Sequence, residues 1–228
     1  MRQIAVLGLG KFGRTISKEL TDKGAQVIAL DNRKEKIEEI KESVTYAVGI
    51  NTTDENALRA AGIHNVDIAI VCIGEDIEAS LLTTLLLKKM GVKKIWARAT
   101  SPLQQEIIKI MEVDNVINLE EEMGKIVASS LISENIAKHI PIAEGHSIAE
   151  IKLPQKFVGK TIRKIDPRKN YNVNIVAIRK YTPEINEQGE RVFKEELIDV
   201  PSPDLELSEE DTLLVVGSNV DIEKFSRN

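Results

Sequence analysis

The sequence predicts an α/β chain: a doubly wound parallel sheet first, then a small α+β domain. Three observations predict it. Six short apolar runs alternate with helical patterns between Ile4 and Asn118, the βαβ repetition that builds a parallel sheet with helices on both faces. The first run leads directly into glycines at positions 8, 10 and 13. After Pro141 the pattern changes to alternating strands punctuated by Pro and Gly.

Taken in order, Ile4 to Leu7 is an apolar run ending at Gly8 and reads as a buried parallel strand. Lys11 to Lys23 places Phe12, Ile16 and Leu20 at spacing four, with Gly24 as a C-cap. Val27 to Leu30 is the second strand and ends at Asp31; Asn32 with Glu35 predicts a capped helix to about Glu42. Thr45–Val48, Asp67–Ile73, Lys94–Ala99 and Asn115–Asn118 supply the remaining strands of the sheet. Helices are expected between them at Asp54–Ala61, Ile77–Met90 and Ser101–Met111. The last opens on Ser101-Pro102-Leu103-Gln104, with Ser as cap, Pro at the first helical position and Gln at the third. Glu121 to His139 reads as one longer amphipathic helix. Strands are expected at 147–153, 174–180, 191–200 and 212–217, with one short helical stretch near Lys160–Asp166 and a polar, mobile hairpin loop at Pro183–Gly189. The predicted division is a nucleotide-binding domain over 1–122, a crossover helix over 123–141 and a C-terminal domain over 142–228.

Composition narrows the function classes. Aromatic residues are only 4%, so aliphatic side chains must form the core. The net charge is -5, and both parts share it: residues 142–228 hold 13 basic and 16 acidic side chains, leaving 18 and 20 before them. Neither part carries the basic face that nucleic-acid binding requires, so no nucleic-acid partner is expected. Cys72 is the one cysteine and lies inside an apolar run, which predicts a small buried hydrophobe rather than a disulfide or a thiolate metal site. His64, His139 and His146 are scattered, without metal-ligand spacing. Charged and polar residues begin at Arg2, and no apolar run approaches the roughly 20 residues of a membrane span. A cytoplasmic protein is expected, with any membrane role exercised through a partner.

Gly8-Leu9-Gly10-Lys11-Phe12-Gly13 is a G-x-G-x-x-G placed between a predicted strand and a predicted helix, and the next strand ends in an acid, Asp31, 18 residues after Gly13. That context makes it a Rossmann dinucleotide-binding signature. Gly8 permits the tight turn, Gly10 lets a phosphate approach the backbone, and Gly13 lets helix and strand pack closely. The helix N-terminus offers unpaired amides to phosphates. Asp31 can accept ribose hydroxyls and disfavours a 2′-phosphate. The motif leaves NAD, ATP, ADP and AMP open. Lys11 is either a contact to a distal phosphate or a solvated lysine, and Arg14 is a weaker candidate for the same role. Glu120, Glu121 and Glu122 follow the sixth strand, where a carboxylate could hold a divalent cation against a phosphate; acids favoured by a helix dipole are the alternative. The leucines of Ile77–Met90 form a stripe wider than one face needs, which suits either a helix wedged in the core or a subunit interface.

On these residues the sequence resembles the RCK (regulator of potassium conductance) family, the TrkA-type regulatory subunits of bacterial Ktr and Trk potassium uptake systems. The resemblance rests on Val6 to Gly13, Asn51-Thr52-Thr53-Asp54, Ile73-Gly74 with the Leu-rich helix, Ile95 to Ala99, Glu120 before Met123-Gly124, and the tail from Pro203 to Gly217. A single copy of the unit points to the Ktr branch, the KtrA-like subunits. The resemblance implies an RCK-N domain followed by an RCK-C (TrkA-C) domain. It implies ATP or ADP, or NAD/NADH, in the N-terminal crevice and cyclic di-AMP in the C-terminal domain. It also implies dimers assembling into an octameric ring under a KtrB/TrkH-like membrane subunit, peripheral on the inner face of the membrane. By the same resemblance Asp31, with Asn32 beside it, holds the ribose, and Asn51 and Thr52 lie by the adenine. The loop from Gly8 through Gly10, Lys11, Phe12 and Gly13 holds the phosphates. Ile73, Gly74 and Arg98 face the crevice, and Glu120 binds Mg²⁺ or Ca²⁺ near the ATP phosphates. The family often carries Arg where Lys11 stands, so the bidentate fork is lost here while the charge is kept.

The rival class is an NAD-dependent oxidoreductase. It would need a general acid or base at the nicotinamide. The C-terminal part has 87 residues and no evident catalytic set, and none of Tyr46, Tyr171 and Tyr181 is followed by Lys at the fourth position. A non-enzyme is therefore expected. A second alternative, a nucleotide-sensing regulator of another partner such as a transcription unit, lacks a basic module.

Overall fold

The computed structural model describes residues 1–132, 136–185 and 191–227. They form two compact units, Met1–Glu121 and Glu122–Asn228.

In the first unit, β1 (Gln3–Leu7), β2 (Gln26–Asp31), β3 (Tyr46–Gly49), β4 (Ile68–Val71), β5 (Ile95–Arg98) and β6 (Asn115–Ile117) make a parallel sheet in the order β3-β2-β1-β4-β5-β6. The strand order reverses between β1 and β4, which opens a crevice at their carboxyl ends. The apolar runs are continuous because both faces are covered. Along β1, Ala5 and Leu7 join one buried cluster with Leu30, Val71 and Leu87, while Ile4 and Val6 join another with Val27, Ala29 and Ile70. This is the two-residue alternation of a strand read from both sides.

The helices are α1 (Lys11–Asp22), α2 (Lys34–Ile40), α3 (Glu55–Ala60), α4 (Ile77–Lys89), α5 (Pro102–Ile110) and α6 (Leu119–Ile132). Asp54, Asp76 and Ser101 cap α3, α4 and α5 through their side chains. The expected cap at Asn32 does not form. The N-cap of α2 is Arg33, without a side-chain bond, and the Arg33 amide donates to the Asp31 carboxylate. On α4, Leu87 is buried while Leu82 and Leu85 are exposed, so the wide stripe serves the core on one side only.

In the second unit, β7 (Ile136–Ala143), β8 (His146–Lys152), β9 (Asn174–Ile185), β10 (Arg191–Ile198) and β11 (Thr212–Ser218) form an antiparallel sheet ordered β10-β9-β11-β8-β7. Three short helices, α7 (Ile162–Ile165), α8 (Pro167–Tyr171) and α9 (Asn219–Ser226), accompany it. The long helix expected over Glu121–His139 is corrected: the described helix runs to Ile132, residues 133–135 lie outside the described residues, and residues 136–143 are strand β7 paired with β8. Isoleucines at 132, 136 and 140 repeat every fourth residue, a spacing that both a helix and a strand satisfy, and Pro141 favours the strand. The single helical stretch expected near 160–166 is two helices, divided at Asp166 in a left-handed conformation with Pro167 after it. Helix α9 was not anticipated. Of the expected hairpin loop, Pro183–Ile185 belong to β9, and residues 186–190 lie outside the described residues.

Candidate functional site

A crevice of about 990 Å³ lies over the carboxyl ends of β1, β2, β4 and β5. Its floor is the glycine loop. Gly8 sits at φ +97°, and a Cβ there would stand 2.8 Å from Ile73 Cγ1 and 2.9 Å from the Ile73 amide nitrogen. Only glycine serves both the turn and the neighbouring chain after β4. At Gly13 a Cβ would lie 1.9 Å from the Gly8 carbonyl oxygen, so this glycine brings α1 against the loop rather than lining the crevice. A Cβ on Gly10, by contrast, would meet nothing within 4 Å. Gly10 is the N-cap of α1 and has no side chain to occupy the first-turn amides, which leaves them for an anion.

Asp31 closes one end of the floor. It is buried, at 5% exposure. Its Oδ2 accepts the Leu9 amide at 2.7 Å and its Oδ1 the Arg33 amide at 2.9 Å, with Lys36 Nζ 3.3 Å from Oδ2. Burial pushes this carboxyl upward, but the Leu9 and Arg33 amides and the Lys36 ammonium outweigh it and hold it below the usual aspartate range. The acid is therefore ionised at the place where ribose hydroxyls would donate.

The crevice gathers Gly8, Gly10, Lys11, Phe12, Asp31, Asn32, Asn51, Thr52, Ile73, Gly74, Arg98 and Glu120 from the expected set, and leaves out Gly13. Asn51 is turned locally, its Oδ1 accepting from the Thr53 amide and hydroxyl at 3.0 and 2.8 Å. Thr52 is buried, its hydroxyl 2.9 Å from that of Thr83, which ties the segment after β3 to α4. Arg14 does not line the crevice; it pairs with Glu39 of α2. Cys72 lines it while 3% exposed; burial pushes its thiol up to about 12 against a weaker pull from Arg98, so it is an inert wall.

Arg33, Lys36, Glu75, Asp76 and Thr100 also line the crevice and were missed. The signal was available, since each follows the end of a parallel strand. Arg33 Nη2 lies 2.6 Å from Glu75 Oε2, joining the segments after β2 and β4. Arg98 Nη2 lies 2.5 Å from Glu120 Oε1. Lys11 is, among the described residues, the crevice lysine with no acid at ion-pairing distance.

An adenine nucleotide fits these residues: an ionised acid for ribose, a glycine loop with unfilled amides and space at Gly10, and Lys11 and Arg98 as cations. Glu120, the acid that the resemblance places beside a cation and a phosphate, is paired with Arg98, and among the described residues no group of three or more His, Cys, Asp or Glu side chains gathers as an all-protein metal site.

Comparison with known proteins places the chain among its relatives. The TrkA-N domain family matches residues 4–119 and the TrkA-C domain family residues 147–228. The chain is 34% identical over 226 residues to Ktr system potassium uptake protein C of Bacillus subtilis (strain 168), covering 99% of this chain and 96% of that one. It is 35% identical over 224 residues to Ktr system potassium uptake protein A of the same organism, covering 98% and 95%. Among solved structures, the GsuK RCK domain superposes with a TM-score of 0.65 at 17% identity, covering 100% of this chain and 48% of that one, a likeness of fold. No described helix is long and apolar enough to cross a membrane.

Proposed function

The chain belongs to the RCK family of TrkA-N/TrkA-C proteins that includes the Ktr potassium uptake proteins A and C, and from that premise we propose that it is the regulatory subunit of a potassium transporter, binding an adenine nucleotide in its N-terminal crevice. The observation that carries the reading is the ionised Asp31 beside the Gly8–Gly10 loop at the strand-order reversal. A ribose would donate to Asp31, the α1 amides and Lys11 would take phosphates, and Asn32, Asn51 and Thr52 would border the base. The expected ligand is ATP or ADP, with NAD(H) as the competitor to test. In this reading the part over 1–122 senses the nucleotide, and the part over 142–228 is the place for a second messenger.

Regulation follows from differential binding. A nucleotide shifts an assembly only by binding one of its shapes more tightly than another. The proposed assembly is a ring of dimers beneath a membrane potassium-transport subunit, on the cytoplasmic side. The relatives are named for potassium uptake, which favours a non-catalytic role for the crevice.

The test is a thermal-shift panel on the full chain with ATP, ADP, AMP, NAD, NADH and NADPH. Cyclic di-AMP joins it because the family resemblance assigns that ligand to the C-terminal domain. A ligand at about 100 times its Kd should add about 2.7 kcal/mol to the folded state. Stabilisation by ATP and ADP supports the reading. No shift with any nucleotide would refute it.

A further inference from the structure

The end of the crevice beyond Asp31 carries two opposed signals. Asp31 is the kind of acid that accepts ribose hydroxyls and repels a 2′-phosphate. Arg33, two residues on, is the kind of cation that receives a 2′-phosphate in this fold, and Lys36 of α2 adds a second positive charge to the same wall. The structure pairs each cation with an acid of the chain. Lys36 Nζ lies 3.3 Å from Asp31 Oδ2. Arg33 reaches from the segment after β2 to the segment after β4, where its Nη2 lies 2.6 Å from Glu75 Oε2. The hydrogen bond between them raises the Arg33 guanidinium and lowers the Glu75 carboxyl, and the Lys36 charge lowers Glu75 further. Two cations and two carboxylates thus balance along one wall. The carboxylates differ in what holds them. Asp31 is fixed by two backbone amides. Glu75 is 81% exposed, against 52% for Arg33.

We propose that Glu75 is a specificity residue of the crevice: by occupying the Arg33 guanidinium it withholds that cation from the ribose, so that the site selects adenine nucleotides with a free 2′-hydroxyl. This rests on the nucleotide-binding reading above and deepens it. Asp31 disfavours a 2′-phosphate by repulsion and by losing the hydroxyl that would donate to it. A free arginine two residues away would offset much of that penalty, because its planar fork matches phosphate oxygens. Glu75 removes the offset and adds a second negative charge. Discrimination is therefore shared between an acid on the ribose and an acid that never touches it. The two act on different groups, Asp31 on the hydroxyl and Glu75 on Arg33, and Glu75 is the one whose loss leaves the ribose acid in place.

The test compares two ligands that differ by one group, ADP and ADP carrying a 2′-phosphate, by calorimetry on the full chain. The proteins are wild type, Glu75→Gln, Arg33→Gln and the double variant. Both side chains stand at the surface, so neither replacement empties a core position. The quantity read is the ratio of the two dissociation constants, because a general change in crevice charge acts on both ligands. The wild type is expected to bind the 2′-phosphorylated ligand about tenfold or more weakly than ADP, the scale of a lost hydrogen bond to a charged group. Glu75→Gln should shrink that ratio about three- to tenfold, as Arg33 turns to the phosphate at a half-exposed site. In the double variant the gain should disappear. A wild type that binds both ligands alike overturns the assignment, as does a ratio that Glu75→Gln leaves unchanged or raises. A gain that survives the loss of Arg33 also overturns it. Each of these leaves the nucleotide reading standing, whereas a wild type that does not bind ADP overturns both.

Discussion

The Asp31 carboxylate holds the Leu9 amide at 2.7 Å, so the second strand of the sheet pins the glycine loop that follows the first. The same carboxylate accepts the Arg33 amide and faces Lys36. Its pKa lies below the ordinary aspartate value, so its contribution to stability is fully present above about pH 4 and is lost as pH falls through the folded-state value. Asp31→Asn should lower stability by about 1–3 kcal/mol at neutral pH, the range for a hydrogen bond to a charged group. Urea midpoints measured from pH 7 down to pH 3 should show the gap between wild type and variant closing only below about pH 4. A gap that stays constant with pH would remove the charge from the argument.

Asp76 joins the crevice to a helix start. Its Oδ1 accepts the Ala79 amide at 2.9 Å, capping α4, and its side chain lines the crevice beside Gly74 and Glu75. Asp76→Ala should cost about 1 kcal/mol, and Asp76→Ser should recover most of it, because Ser caps comparably. Chemical denaturation of the three proteins checks this. Equal losses in both variants would mean that the carboxylate acts through charge rather than through the cap.

Local chemistry was legible in the sequence and distant pairing was not. The β1–loop–α1 unit and the acid ending β2 are written in contiguous residues, and Gly8, Gly10 and Asp31 fall where the motif requires. Gly13 belongs to the motif yet lies outside the crevice, because its task is contact with the Gly8 carbonyl. Thr52 was expected beside a base; it lines the crevice but spends its hydroxyl on Thr83, 31 residues on. Arg33–Glu75 and Arg98–Glu120 join residues 42 and 22 apart in sequence, and no local pattern announces them. Strand β7 was hidden by a fourfold isoleucine spacing common to helix and strand.

Helix α9 was missed because its seven-residue stretch to Phe225 is mostly polar, and its anchor is tertiary. Phe225 is fully buried, with its ring 5.1 Å from that of Phe157 at 24° and 5.2 Å from that of Tyr171 at 71°. Removing it leaves a cavity among aromatic neighbours, so Phe225→Ala should cost about 3–5 kcal/mol. Hydrogen exchange should show protection lost in β8 and β11, which share its cluster through Ala149, Ile151, Leu213 and Val215, while β1 and β4 keep theirs. Loss of protection in both units together would mean that they unfold as one.

Gly10 and Gly13 stand three residues apart in one motif and should respond in opposite ways. At Gly13 a methyl would collide with backbone, at 1.9 Å from the Gly8 oxygen and 3.0 Å from its carbon. Neither atom can rotate away, so Gly13→Ala should destabilise by at least the roughly 1–3 kcal/mol of an overpacked core, whether or not nucleotide is present. At Gly10 the methyl meets nothing within 4 Å and the backbone has φ -66°. Gly10→Ala should leave the unfolding free energy within about 0.5 kcal/mol of wild type. It should nevertheless weaken ADP binding about tenfold or more, because the methyl stands where a phosphate must approach the α1 amides. Thermal unfolding and calorimetric titration of the two variants separate the effects. If Gly10→Ala bound ADP as wild type does, the phosphates would not lie on the glycine loop, and Asp31 would lose its assignment to the ribose with them.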